Sequence, residues 1–125
     1  MTLTREDRVA EFNRAGDVGT VSSGGNLALA VTNFSEELSE FNDAMSEYVA
    51  NPSEESRAAM VKEWADVQYT LSGLAYYFEI DGEEAFTRVA DNNMTKVSAD
   101  GTIRKRADGK ILKPEGYEKP DMKGL

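Results

Sequence analysis

The sequence predicts an all-α fold, and three observations carry the prediction. Apolar residues Leu27, Val31, Phe34, Leu38, Phe41, Met45 and Tyr48 recur in steps of 4, 3, 4, 3, 4 and 3, a helical seam built to pack on other helices. Met60, Trp64, Val67, Leu71, Leu74 and Phe78 form a second such seam. The stretches "NPSE" (Asn51 to Glu54) and "DGEE" (Asp81 to Glu84) read as helix starts, with a capping side chain followed by acids in the first turn.

Four helices follow in order. The first runs from Thr4, a capping residue, to about Arg14, with Val9 and Phe12 on one side. A loop rich in Gly, Ser and Thr spans Gly16 to Gly25. The second helix runs from about Asn26 to Tyr48. The third starts in "NPSE", with Asn51 as cap, Pro52 in the first turn and Glu54 closing a capping box, and reaches about Glu79. The fourth is capped by Asp81, carries Phe86, Val89, Ala90 and Val97, and ends near Ser98. Beyond Ser98 the composition changes: residues 99–125 hold seven of the 14 basic residues, four of the ten glycines and two of the three prolines. There "TIRKR" and "KILK" flank "ADG", a hairpin signal, before a basic tail. One domain over residues 1–125 is expected, with a helical module over 1–98 and a hairpin and tail over 99–125. No internal repeat and no low-complexity tract interrupts it.

Composition narrows the chemistry. With 23 Asp and Glu against 14 Lys and Arg, the net charge is −9, which argues against direct nucleic-acid binding. A small phosphorylated ligand is compatible with that charge, because metal ions bridge acid to phosphate. The absence of cysteine excludes disulfides, zinc-thiolate sites and thiol catalysis. The absence of histidine excludes serine-histidine triads and imidazole acid-base chemistry. It also argues against a di-iron carboxylate bundle, which uses Glu-x-x-His pairs. There is no membrane-spanning run and no signal-peptide pattern, so a cytoplasmic protein is expected.

The stretch "FSEELSEF" (Phe34 to Phe41) crowds Glu36, Glu37 and Glu40 between two phenylalanines, although like charges one turn apart repel. On a helical wheel Glu37 and Glu40 flank the buried seam, and Glu36 lies further round. On the third helix Glu63 and Asp66 repeat the spacing, with Glu63 flanking its seam. Antiparallel packing would let the two pairs converge at the rim of the core. Four such carboxylates need cations, and Mg²⁺ takes carboxylate oxygens while keeping waters and substrate phosphates. The alternative is a solvated acidic face, which is common for a single E-x-x-E pair. On the fourth helix, Asn93 and Lys96 project on the side of Val89, which should face the core. They either reach an anion in a polar cleft, or bond locally and snorkel to water.

The pattern E-x-x-E, 22 residues, E-x-x-D, followed by "NMTK", resembles the MazG-like all-α nucleoside triphosphate pyrophosphohydrolases. That superfamily includes phosphoribosyl-ATP pyrophosphohydrolase and the dimeric dUTPases. The tail "DGTIRKRADGKILKPEGYEKPDM" is similar to a compact, often phage-encoded branch. The resemblance covers about Asn26 to Met122. It implies a four-helix module that assembles as a homodimer or homotetramer and cuts (d)NTPs to the monophosphate and pyrophosphate. It implies Mg²⁺ as cofactor, with Mn²⁺ as a substitute, on Glu37, Glu40, Glu63 and Asp66. Asn93 and Lys96 would contact the triphosphate, and Glu36 would hold a further metal or orient water. Asn13 and Lys110 complete the candidate nucleotide contacts. Two departures bear on base identity: Phe12-Asn13 stands where an aromatic-histidine pair is common, and Thr32 and Asn33 stand near where an arginine is common. Without histidine, the general base must be a carboxylate, Glu37 or Glu36, or metal-activated water. The expected substrate is dGTP, with dUTP or dCTP as rivals. A non-catalytic helical oligomer that binds partners through its seams is the competing class. If phage-encoded, the protein would work in the host cytoplasm.

Overall fold

A computed structural model describes residues 2–125. Four helices appear in the expected order: α1 (Arg5–Ala15), α2 (Leu27–Ala50), α3 (Glu54–Phe78) and α4 (Gly82–Met94). Among the described residues no strand forms, and none of the helices is long and apolar enough to cross a membrane. The chain divides into two compact units, one through Ile80 and one from Asp81.

In the first unit, Thr4 caps α1 with a capping box to Asp7, and Asn26 caps α2 through the Leu29 amide. The start of α3 differs from the sequence reading. Ser53, not Asn51, is its cap, in a box with Ser56. Asn51 instead ends α2: its amide N–H donates to the Glu47 carbonyl at 2.8 Å and its side chain donates to the Glu47 carboxylate. Pro52 biases the residue before it away from helical backbone, so the break falls at Asn51 and the cap moves on to Ser53. The short link makes α2 and α3 an antiparallel pair.

The two seams split between two faces. Phe34, Phe41 and Tyr48 of α2, and Met60, Val67 and Leu74 of α3, are half-buried. The alternate rows are largely uncovered, Met45 apart: Leu38 is 40% exposed, Trp64 50% and Leu71 49%. α1 packs on α3. It buries Val9, sets Phe12 edge-on to Tyr69 at 5.9 Å, and accepts a 3.0 Å hydrogen bond from the Ser72 hydroxyl on the Glu6 carboxylate.

The loop between α1 and α2 is tied to the end of α3. Val21 N–H donates to the Tyr77 carbonyl (2.7 Å), and the Tyr76 and Tyr77 hydroxyls donate to the carbonyls of Val18 (2.9 Å) and Gly25 (3.3 Å). The loop crosses itself at Gly19 and Gly25, where a Cβ on Gly25 would lie 2.5 Å from the Gly19 oxygen. Only glycine fits that crossing.

In the second unit, α4 is capped by Asp81, as expected, but ends at Met94 rather than near Ser98. The Thr95 hydroxyl takes the Asn92 carbonyl at 2.6 Å, and Val97 leaves the helix to pair with Ile103 in an antiparallel bridge. A second bridge, Lys105 to Ile111, and the bond from Arg106 N–H to the Lys110 carbonyl (2.7 Å) close the expected turn at "ADG". Arg88 and Asn92, one turn apart on α4, donate to the tail carbonyls of Asp121, Lys123 and Glu118. α4 therefore meets the tail with a polar face. Val89, expected in a core, is 42% exposed and Phe86 is 72% exposed.

Candidate active site

α2 carries Glu37, and α3 carries Glu63 and Asp66 three residues apart on one face. One carboxylate oxygen from each lies within 4.8 Å of the others, and all three residues are half-buried. The antiparallel pairing of the helices brings these three acids together. Glu40, one turn further along α2, is exposed and adds its charge without joining the three converging oxygens. Glu36 is exposed on the same helix.

The cluster is electrostatically incomplete. Burial, and then the charges of Glu40, Asp66 and Glu63, push the Glu37 carboxyl above its ordinary value. Oε2 of Glu37 and Oε2 of Glu63 are buried without a hydrogen-bond partner. Native proteins rarely leave such atoms unpaired. Lys62 reaches the cluster from the solvent side, 2.6 Å from Asp66 and 3.6 Å from Glu63. Its hydrogen bond to Asp66, with the nearby acids, raises its own pKa. That side chain is 66% exposed, so leaving the cluster costs it little burial. Three hard oxygen donors with two orphaned buried oxygens fit a divalent cation of the Mg²⁺ or Mn²⁺ class.

Beside this cluster lies a cavity of about 780 Å³ between α1, the loop, α2 and α3. Asn33 and Thr70 line it, and each stands one helical turn from a cluster acid, Asn33 from Glu37 and Thr70 from Asp66. Asn13 and Tyr69 add polar groups, while Leu29 and Phe12 add apolar surface. The volume and the mixed lining suit a small organic ligand. Asn13, a sequence candidate, thus lines the cavity.

The other candidates belong to the second unit. Lys96 Nζ donates to Asn93 Oδ1 at 2.9 Å and sits 5.5 Å from the centre of the Tyr117 ring. Asn93 and Lys96 therefore pair with each other. Lys110 follows the turn, where its N–H donates to the Asp108 carboxylate.

Residues 20–93 match the family model described as phosphoribosyl-ATP pyrophosphohydrolase. The chain belongs to the phosphoribosyl-ATP pyrophosphohydrolase family. None of the curated proteins compared with the chain matches it. Membership makes the chain one of the MazG-like nucleotide pyrophosphohydrolases, which typically depend on divalent metal. The phosphoribosyl-ATP pyrophosphohydrolase match spans all the carboxylates of the cluster and the second half of the loop, from Thr20, and it stops before Lys96 and Lys110.

Two residues of this site have weak signals in the sequence. Lys62 shows there only as a lysine four residues before Asp66. Gly73 lines the cavity in mid-helix, and its signal is a glycine inside a strong helical pattern.

Proposed function

We propose that the chain is a Mg²⁺-dependent dNTP pyrophosphohydrolase that releases the dNMP and pyrophosphate. One observation carries the reading: a carboxylate cluster with two orphaned oxygens stands one helical turn from a nucleoside-sized cavity. Glu37, Glu63 and Asp66 would hold the metal, with Glu40 and Glu36 as further oxygen donors. When bound, the metal supplies neutralisation of phosphate charge and acidification of water. The protein's own part is to orient and to take a proton. Attack by water on phosphorus breaks the α–β phosphoanhydride bond, and the water proton passes to a carboxylate. Glu37 or Glu36 is the candidate base, because with no histidine in the chain a carboxylate beside the cluster must take the proton. Asn13, Asn33 and Thr70 offer amide and hydroxyl groups to a base or sugar edge. The choice of dGTP, with dUTP or dCTP as rivals, rests on the resemblance of the tail to the compact branch; a cavity of this volume admits either kind of base. A screen of all NTPs and dNTPs with Mg²⁺, reading pyrophosphate release, tests this; no release from any of them rejects it.

The triphosphate reading of α4 has its own test. Lys96 either serves only its local pair with Asn93 and Tyr117 or also binds phosphate, together with Asn93 and Lys110. Lys96→Met keeps the stem and removes the charge. As a phosphate ligand, its loss lowers kcat/KM by about tenfold or more, the scale of one charge-assisted contact. Mg²⁺ binding without nucleotide stays unchanged. Normal kinetics would remove Lys96 from the site.

Assembly follows from the uncovered rows. Leu38, Trp64 and Leu71 present apolar surface at coiled-coil spacing, which a second copy would cover. A homodimer or homotetramer is expected by light scattering at micromolar concentration. A fully active monomer would refute it.

A further inference from the structure

We propose that Glu79 is a positioning residue for nucleoside recognition: it holds the loop that walls the cavity, and so sets the affinity for the base and sugar without touching the phosphates. This rests on the cavity being the nucleoside site.

Two local rules oppose a glutamate at this position. Glu79 ends α3 in the left-handed conformation, φ 59°, ψ 36°, where glycine or asparagine is the usual residue. A side chain with a Cβ is strained there. A negative charge at a helix C-terminus also meets the negative end of the dipole. When a residue breaks two local preferences at once, the compensation lies elsewhere. Here it is on the loop. The Glu79 carboxylate accepts the Thr20 hydroxyl at 2.7 Å and the Ser22 hydroxyl at 2.8 Å. These hydrogen bonds, Thr20 first, hold its pKa below the ordinary value, so it remains ionised.

The strap acts on the cavity through its neighbours in the chain. Thr20 follows Gly19, and Ser22 precedes Ser23; Gly19 and Ser23 both line the cavity. Thr20 also closes the loop on itself, its carbonyl accepting Gly25 N–H at 2.8 Å and its N–H donating to the Ser23 hydroxyl at 2.7 Å. Glu79 thus grips the part of the loop from which the cavity wall hangs. A plain helix end would need none of these contacts.

Glu79→Gly separates the two roles, because glycine relieves the backbone while losing the strap. The Thr20→Val/Ser22→Ala double variant loses the same strap from the other side and keeps the backbone as it is. Kinetics are measured with Mg²⁺ and the dNTP that the wild type cleaves fastest, dGTP on the reading above. Inorganic tripolyphosphate serves as a competitor that can occupy the phosphate site but not the cavity. Both variants should raise KM about tenfold with kcat within about twofold of wild type, while the Ki of tripolyphosphate is unchanged. Hydrogen exchange at the Val21 amide should accelerate, and the melting temperature of Glu79→Gly should match or exceed wild type. Unchanged KM in either variant overturns the proposal, as does a tripolyphosphate Ki that rises in parallel with KM. A wild-type protein that cleaves no nucleotide takes down the nucleotide reading itself, and the proposal with it.

Discussion

Glu37→Gln should abolish nucleotide hydrolysis and, at the same time, make the metal-free protein more stable. The substitution keeps the shape and removes one of the charges that crowd together. The loss in kcat/KM should be about 10²–10³-fold, the scale of removing one electrostatic contact to a reacting centre. Glu63→Gln should behave alike, since its buried oxygen is also unpaired. The stability change has a signature in pH. The folded-state pKa of Glu37 is raised above 4.5, so the metal-free native state holds that proton more tightly than the unfolded chain does. Native stability therefore falls as pH rises from 4.5 through the raised value, and stays low beyond it. Lowering the pH from neutral toward that window should raise the melting temperature of metal-free wild type. Asp7, Glu79, Asp100 and Asp108, whose pKa values are lowered, destabilise only below their ordinary values of 3.8 to 4.5. The pH slope should flatten in Glu37→Gln, and also in wild type with Mg²⁺. Differential scanning fluorimetry across pH, with and without Mg²⁺, checks it. Hydrolysis within threefold of wild type in both variants would end the carboxylate reading.

The sequence revealed whatever was decided locally. Thr4 and Asp81 cap their helices as read, because each cap needs only the next three residues. The start of α3 was misplaced by two residues because Asn51 and Ser53 can both cap, and Pro52 together with the Glu47 contacts makes Asn51 the end of α2 instead. The end of α4 was misplaced because Val97 is drawn off by Ile103, across a turn. Val89 was expected inward, but the tail is held by Arg88 and Asn92, polar residues that a hydrophobic pattern does not mark. At the site, Glu37, Glu63 and Asp66 were readable as helix faces. That three oxygens converge while Glu40 stands a turn away depends on how the helices are paired, which no spacing within one helix encodes. The Glu79 contacts and the cavity exist only once the loop is folded onto α3, whereas Lys62 pairs with Asp66 within α3 itself.

Gly73→Leu should leave a folded protein that no longer recognises nucleosides. A glycine in a helix interior costs about 1 kcal/mol relative to alanine, so its presence in the middle of α3 needs a reason. Crowding by the protein is not the reason: a Cβ at Gly73 would meet no atom within 4 Å, in contrast to Gly19 and Gly25, where the backbone crosses. Gly73 nonetheless lines the cavity, between Tyr69 and Tyr77 on the same face of α3. On the proposed function, the empty volume above it is the space the nucleoside would take. Gly73→Ala should then raise the melting temperature by several degrees, through better helix propensity, and raise KM several-fold by taking some of that space. Gly73→Leu fills more of it, and should raise KM by about 100-fold or more. Inhibition by inorganic tripolyphosphate should persist in both, because the carboxylates are untouched. The stabilisation and the loss of affinity would come from one added group, which separates this outcome from general damage to the fold. A Gly73→Leu variant with KM within threefold of wild type would show that the nucleoside binds elsewhere, and would leave the cavity without a ligand.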